Sequence, residues 1–297
     1  MSENVQKTLR DSAVLRWLAL ILLAGAMFCS YIFMDILSPI KDLMWDTKGW
    51  DSTAFGTMQG SETFLNVFVF FLIFAGIILD KMGVRFTAIL SGAVMLVGAT
   101  INWYALTDMF AGSNLEVWFN EHLNYIPGFD ELGVSPFYKG MPASAKFSAI
   151  GFMIFGCGVE MAGITVSRGI VKWFKGREMA LAMGSEMALA RLGVATCMIF
   201  SPMFARLGGE VSVSRSVAFG VVLLMIALIM FIVYAFMDKK LDSQTGEAEE
   251  KDDPFQIKDL GQILTSSGFW LVALLCVLYY SAIFPFQKYA VNMLQCN

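Results

Sequence analysis

Two long apolar runs flank the stretch Gly76-Ile-Ile-Leu-Asp80-Lys81-Met-Gly83-Val-Arg85, and its three charges decide what those runs can be. Charge in so short a connector must meet water, so each run crosses an apolar layer and the chain turns back between them. Apolar runs near 20 residues recur at 17–40, 55–79, 86–106, 145–173, 179–205, 213–237 and 269–286. In hydrocarbon every backbone amide must find its partner inside its own segment, so all seven read as helices. Gly76 and Gly83 are placed to let the backbone bend and neighbouring helices approach, while Asp80, Lys81 and Arg85 are placed to pair across helix ends. Pro39, Pro142, Pro202 and Pro285 fall at or near span ends, where a missing amide donor does least harm.

Composition excludes several classes. Hydrophobic residues make up 57% of the chain and charged residues 15%, far from the balance of a soluble domain. The net charge of -4 includes no basic block, so nucleic acid is not a partner expected here. Cys29, Cys157, Cys197 and Cys276 lie within apolar runs as small core residues, and no CxxC or Cys/His spacing marks a metal or redox pair. A single histidine, with no Gly-x-Ser-x-Gly, HExxH or phosphate loop, leaves no catalytic residue and no metal site to assign. No cofactor is expected beyond coupling to protons.

Lysine and arginine set the orientation. With the N-terminus in the cytoplasm, twelve of them face the cytoplasm and seven face outward. The connector at 238–267, with GEAEEKDD at its centre, reads as a solvated cytoplasmic linker. The stretch 107–144 faces outward, and its aromatic content suggests partial folding over the helices. Gly60-Ser61-Glu62 is expected to open the second span and Gly184-Ser185-Glu186 the fifth, on helices of opposite direction. Such a pairing is the mark of an inverted three-helix repeat.

Ionisable residues inside the spans are the candidate site. A charge at the bilayer centre costs roughly 2.5–3.5 kcal/mol on insertion scales, so it needs a partner or a wet cavity. Glu160 lies near the middle of the fourth span and Arg191 near the middle of the fifth. Arg191 is suited to grip a carboxylate bidentately, and Glu160 to hold an amine or carry a proton. The alternative is a buried ion pair that locks the two helices together. Asp35, beside Tyr31 toward the outer end of the first span, is a second candidate, or an aspartate at headgroup level. Glu62 and Glu186 are expected to start their helices and complement the dipole. Arg168 is either a gate contact or an interfacial anchor like Lys172 and Trp173. Tyr279 and Tyr280 carry hydroxyls at mid-depth in the seventh span and are candidate cavity wall. His122 is expected to be a solvated surface residue.

The 76–85 connector resembles the signature loop between the second and third helices of the major facilitator superfamily, whose bundles are built from inverted three-helix repeats. The resemblance implies an all-α membrane protein with an N-terminal six-helix bundle at 1–237 and a linker at 238–267. It also implies one helix of a second bundle at 268–297, with the rest of that C-terminal half missing from the chain and needed for a complete transporter. Within the superfamily, Val171-Lys-Trp173-Phe-Lys-Gly176-Arg-Glu178, Ala188-Leu-Ala-Arg191-Leu-Gly193 and Tyr279-Tyr280-Ser-Ala-Ile-Phe284-Pro285-Phe286 are similar to a dipeptide-carrying branch of animal lysosomes. In that branch a mid-membrane Glu and Arg engage the peptide termini, and they match Glu160 and Arg191. The Asp matching Asp80 helps close the cytoplasmic side, which makes Gly76, Asp80, Lys81, Gly83, Arg85 and Arg168 the gating set. The resemblance thus implies a secondary transporter working by alternating access on short peptides or other zwitterions. A proton-coupled carrier of small organic anions and a non-transporting scaffold or sensor are the alternatives. No dileucine pair precedes the first span, which favours the cell inner (plasma) membrane, with lipid and a small-molecule substrate as partners.

Overall fold

A computed structural model describes residues 9–245, 261 and 263–295. The described residues form helices and turns with no strand among them: α1 Ala13–Met34, α2 Lys41–Lys48, α3 Ser52–Gly60, α4 Phe64–Phe68, α5 Phe71–Ala105, α6 Asn114–His122, α7 Ala143–Phe174, α8 Met179–Ala205, α9 Val213–Thr245 and α10 Ser267–Gln295. Six stretches among them are long and apolar enough to cross a membrane: Ala13–Lys48, Phe71–Ala105, Ala143–Phe174, Met179–Ala205, Val213–Gln244 and Ser267–Tyr289. The all-α, multi-pass character expected from the apolar runs is what the chain has. It divides into two units, Met1–Glu249 and Glu250–Asn297, and α10 belongs to the second.

Gly83 sets the topology of the first unit. With φ 79° and ψ 168° it interrupts α5, a conformation that a side chain resists and glycine adopts. Contacts to α7 show that the chain reverses there. Before Gly83, Trp50 donates to the Ser144 hydroxyl, Ser61 to the Ala149 carbonyl, and Asp80 pairs with Arg168, so this pass climbs α7 in parallel. After Gly83 the order inverts: Asn102 lies against Gly151, Gly98 against Phe155 and Met95 against Gly158. Helix α1 runs parallel to α8, through Arg16 with Glu178 and Ile36 with Ser201. It runs antiparallel to α9, through Phe33 with Gly220 and Gly25 with Met230. Six alternating passes therefore pack within this unit.

The pass before Gly83 departs from the continuous helix expected at 55–79. It is broken into α3, a 3-10 turn at Ser61–Thr63, and α4, and Phe70 with φ 55° separates α4 from α5. Non-helical backbone at membrane depth survives only where protein satisfies it. Here Ser61 Oγ donates to Met58 O (2.6 Å) and Ala149 O (3.0 Å), and Asn66 donates to Glu62 O (3.5 Å). Gly156 lacks the Cβ that would strike the Glu62 carbonyl, so the broken turn can lie directly on α7.

Four further expectations are corrected. Gly60-Ser61-Glu62 sits at this break rather than opening a helix, and Gly184-Ser185-Glu186 lies beyond the first turn of α8, which begins at Met179. Both glutamates are buried, and Glu186, lying past the first turn of α8, does not start its helix. Pro202 and Pro285 lie inside α8 and α10. The solvated linker does not begin at residue 238: α9 continues to Thr245, and Asp238 is wholly buried. Most of that expected linker, residues 246–260 and 262, lies outside the described residues.

At the end opposite Gly83, Phe110 and Phe119 form an apolar cluster with Ala143, Tyr104 and Phe147, and the Phe110 and Phe147 rings stack at 5.4 Å. The Lys146 ammonium, 1% exposed, donates to Phe119 O (3.2 Å) and Asn124 Oδ1 (3.1 Å), tying α6 and its flank to α7. His122 is exposed and stacks on Trp118, as its place in a surface connector implies.

Candidate functional site

Contacts along α1 fix the depth of the two mid-span charges. Phe33 packs on Phe152 and Phe155 at ring distances of 6.4 and 4.8 Å, while Leu23 lies against Gly169. This antiparallel ladder brings Glu160 of α7 to the level of Phe28 and Tyr31. On the other flank, Gly193 of α8 abuts the Phe28 carbonyl, and the Arg191 guanidinium lies 5.6 Å from the Tyr31 ring centroid. Glu160 and Arg191 thus share one depth, on two helices that both pack against α1, and both are half-buried.

They do not pair with each other: no ion pair within 4.0 Å joins them among the described residues. The helix-locking salt bridge weighed from the sequence is therefore not the arrangement adopted. Tyr31 offers its ring face to Arg191, a cation–π contact of about 0.5–1 kcal/mol where partly exposed. Glu160 shares the less buried stripe of α7 with Gly163, Ile164, Ser167 and exposed Val171, at helical spacing. An acid and a base at one depth, with no ion pair between them, present opposite charges to a ligand that reaches both.

Asp35 is not part of that face. It sits at the C-terminus of α1, 2% exposed, and accepts from Ser38 Oγ (3.3 Å), which accepts from Gln59 Nε2 (3.3 Å). Asp35 therefore lies in a buried, hydrogen-bonded turn at the end of α1. In α10, the Tyr279 and Tyr280 rings meet edge to face at 5.2 Å, and Tyr280 stacks on Phe284 at 5.0 Å.

The expected gating residues gather at the Gly83 end, with one exception. Asp80 pairs with Arg168, a contact between two passes. Arg85 reaches Asp242 at 2.9 Å, and Lys81 is exposed. Gly76 has no atom within 4 Å of where a Cβ would stand, so it supports no close approach within this unit.

Two residues at this end escaped the sequence reading. Asp238 receives Lys172 Nζ at 2.7 Å, Trp173 Nε1 at 3.0 Å and Tyr234 Oη at 3.4 Å, and Asp242 also receives Lys172 at 2.7 Å. Their four-residue spacing on one helix face was the available signal. They were masked by the polar run that follows. Among the described residues, no group of three or more His, Cys, Asp or Glu is placed to hold a metal ion.

The profile of the Major Facilitator Superfamily matches residues 23–294. Over 283 residues, 91% of this chain, it is 24% identical to the lysosomal dipeptide transporter MFSD1 of Homo sapiens and 25% identical to that of Pongo abelii, covering 52% of each. Over 148 residues it is 30% identical to the Danio rerio protein of the same name, 46% of this chain and 31% of that one. The chain spans about half the length of the curated relatives it matches. No solved structure matches it.

Proposed function

The chain belongs to the Major Facilitator Superfamily, and on that premise we propose that it serves secondary transport of a small zwitterion, with short peptides as the substrate class. The observation that carries this reading is the placement of Glu160 and Arg191 at one depth, on two helices packed against α1, without an ion pair between them. A zwitterion satisfies both at once: its carboxylate meets the guanidinium bidentately and its ammonium meets the carboxylate. The dipeptide named for the MFSD1 relatives has this charge pattern.

In alternating access, a substrate-dependent closure at one end must be reversible. The Asp80–Arg168 pair joins two parallel passes at the Gly83 end, and partly exposed pairs of this kind are worth about 0.2–1 kcal/mol, weak enough to break and reform. We place that end in the cytoplasm of a cell-membrane protein, and Glu160 as the group that exchanges a proton if transport is proton-coupled.

The test is protection of the purified chain from thermal unfolding by dipeptides, free amino acids and small organic anions. Dipeptides should protect most, and Arg191→Ala should remove the effect with little change in unliganded stability. Protection by monocarboxylates equal to that by dipeptides overturns the zwitterion reading.

A further inference from the structure

Near the Gly83 end, the outer surface of the second arm of α5 and the last turns of α9 enclose a shallow groove of about 170 Å³, lined by Arg85, Ile89, Ile232, Ala235, Phe236 and Lys239. Its surface is apolar: Ile89, Ile232, Ala235 and Phe236 form the walls, with Phe236 70% exposed, and Arg85 and Lys239 border it through their aliphatic stems. Both cations belong to the charged end of the bundle, where the apolar spans give way to polar residues.

We infer that this groove binds one anionic phospholipid, its phosphate between Arg85 and Lys239 and part of an acyl chain along Ile89, Ile232 and Phe236. Charge complementarity selects this occupant. A groove that only packed against hydrocarbon would gain nothing from two cations at its rim, whereas basic pockets between membrane helices suit acidic headgroups. Lys239 is exposed and has no ion-pair partner among the described residues. Arg85 gives one nitrogen to Asp242 at 2.9 Å, and a guanidinium has further N–H groups to offer. Asp242 receives Arg85 at 2.9 Å and Lys172 at 2.7 Å, and Lys172 also serves Asp238, so these two acids and two bases balance and Lys239 brings the uncompensated charge. The exposed face of Phe236 is what an acyl chain in the bilayer would cover.

Native mass spectrometry of the full chain, titrated with dioleoyl phosphatidylglycerol and dioleoyl phosphatidylcholine, reads the site directly. Phosphatidylglycerol should bind in preference to phosphatidylcholine. Lys239→Ala should weaken phosphatidylglycerol roughly fivefold, the effect of one surface cation on an acidic lipid. Lys240→Ala, an exposed neighbour outside the groove, should change it less than twofold. Inorganic phosphate alone should not compete at millimolar concentration, because it cannot use the apolar walls. Equal binding of the two lipids, an unaltered Lys239→Ala, an equal loss in Lys240→Ala, or displacement by phosphate would each overturn the inference.

Discussion

Lys172 of α7 reaches Asp238 of α9 at 2.7 Å, and that carboxylate is 0% exposed. Trp173 and Tyr234 donate to its other oxygen, so the acid is fully engaged by the neighbouring helix and its own. Asp238→Ala removes one side of a buried pair. Because Lys172 keeps Asp242 and is 23% exposed, the loss should fall below the roughly 3–5 kcal/mol of a sealed pair, at about 2 kcal/mol. Thermal unfolding in detergent measures it, and Asp238→Asn, which can still accept from Trp173, should lose less.

Gly83 and Gly76 make a matched pair of tests. Gly83→Ala forces a Cβ onto a backbone at φ 79° and ψ 168°, which should cost about 1–3 kcal/mol. Gly76→Ala meets open space within its unit and sits in regular helix, so it should be neutral to stabilising by up to ~1 kcal/mol. Equal effects of the two on the unfolding temperature would contradict the reversal at Gly83.

Gly156→Ala places a methyl against the backbone of Glu62, which no side-chain rotation can relieve. Overpacking of this kind costs about 1–3 kcal/mol. The damage should concentrate in the pass before Gly83, read as faster amide exchange at 61–68 than at the matching depth of α8.

Tyr31→Leu deletes the aromatic face beneath Arg191, while Tyr31→Phe keeps it. A contact of about 0.5–1 kcal/mol corresponds to a two- to fivefold weakening of ligand binding in the Leu variant alone. Calorimetric titration with a dipeptide distinguishes the two.

The passes were legible in the sequence because bilayer thickness imposes a length that composition alone can meet. The turn at 76–85 was legible because charge cannot stay in hydrocarbon. What failed was local. The break at Ser61–Thr63 depends on the Ala149 carbonyl and on the bare surface of Gly156, both distant in sequence. Asp238 was assigned to a solvated linker because the residues after it are polar, and its burial comes from Lys172 and Trp173 of another helix. Glu160 and Arg191 stood out as deep charges, but their common depth and the lack of an ion pair between them follow only from how α1, α7 and α8 pack. Asp35 stood out as a second candidate beside Tyr31, yet the turn after α1 buries it against Ser38.

The most direct measurement of the central claim is the affinity of one dipeptide for the wild type, Glu160→Gln, Arg191→Ala and the double variant, each paired with its unliganded unfolding temperature. If both charges grip the two ends of one zwitterion, each single change should weaken binding at least tenfold, since charge-assisted hydrogen bonds are worth about 1.5–3 kcal/mol, with unfolding temperatures little altered. If the single variants bind as the wild type does while their unfolding temperatures collapse, the two residues hold helices rather than substrate, and the account is wrong.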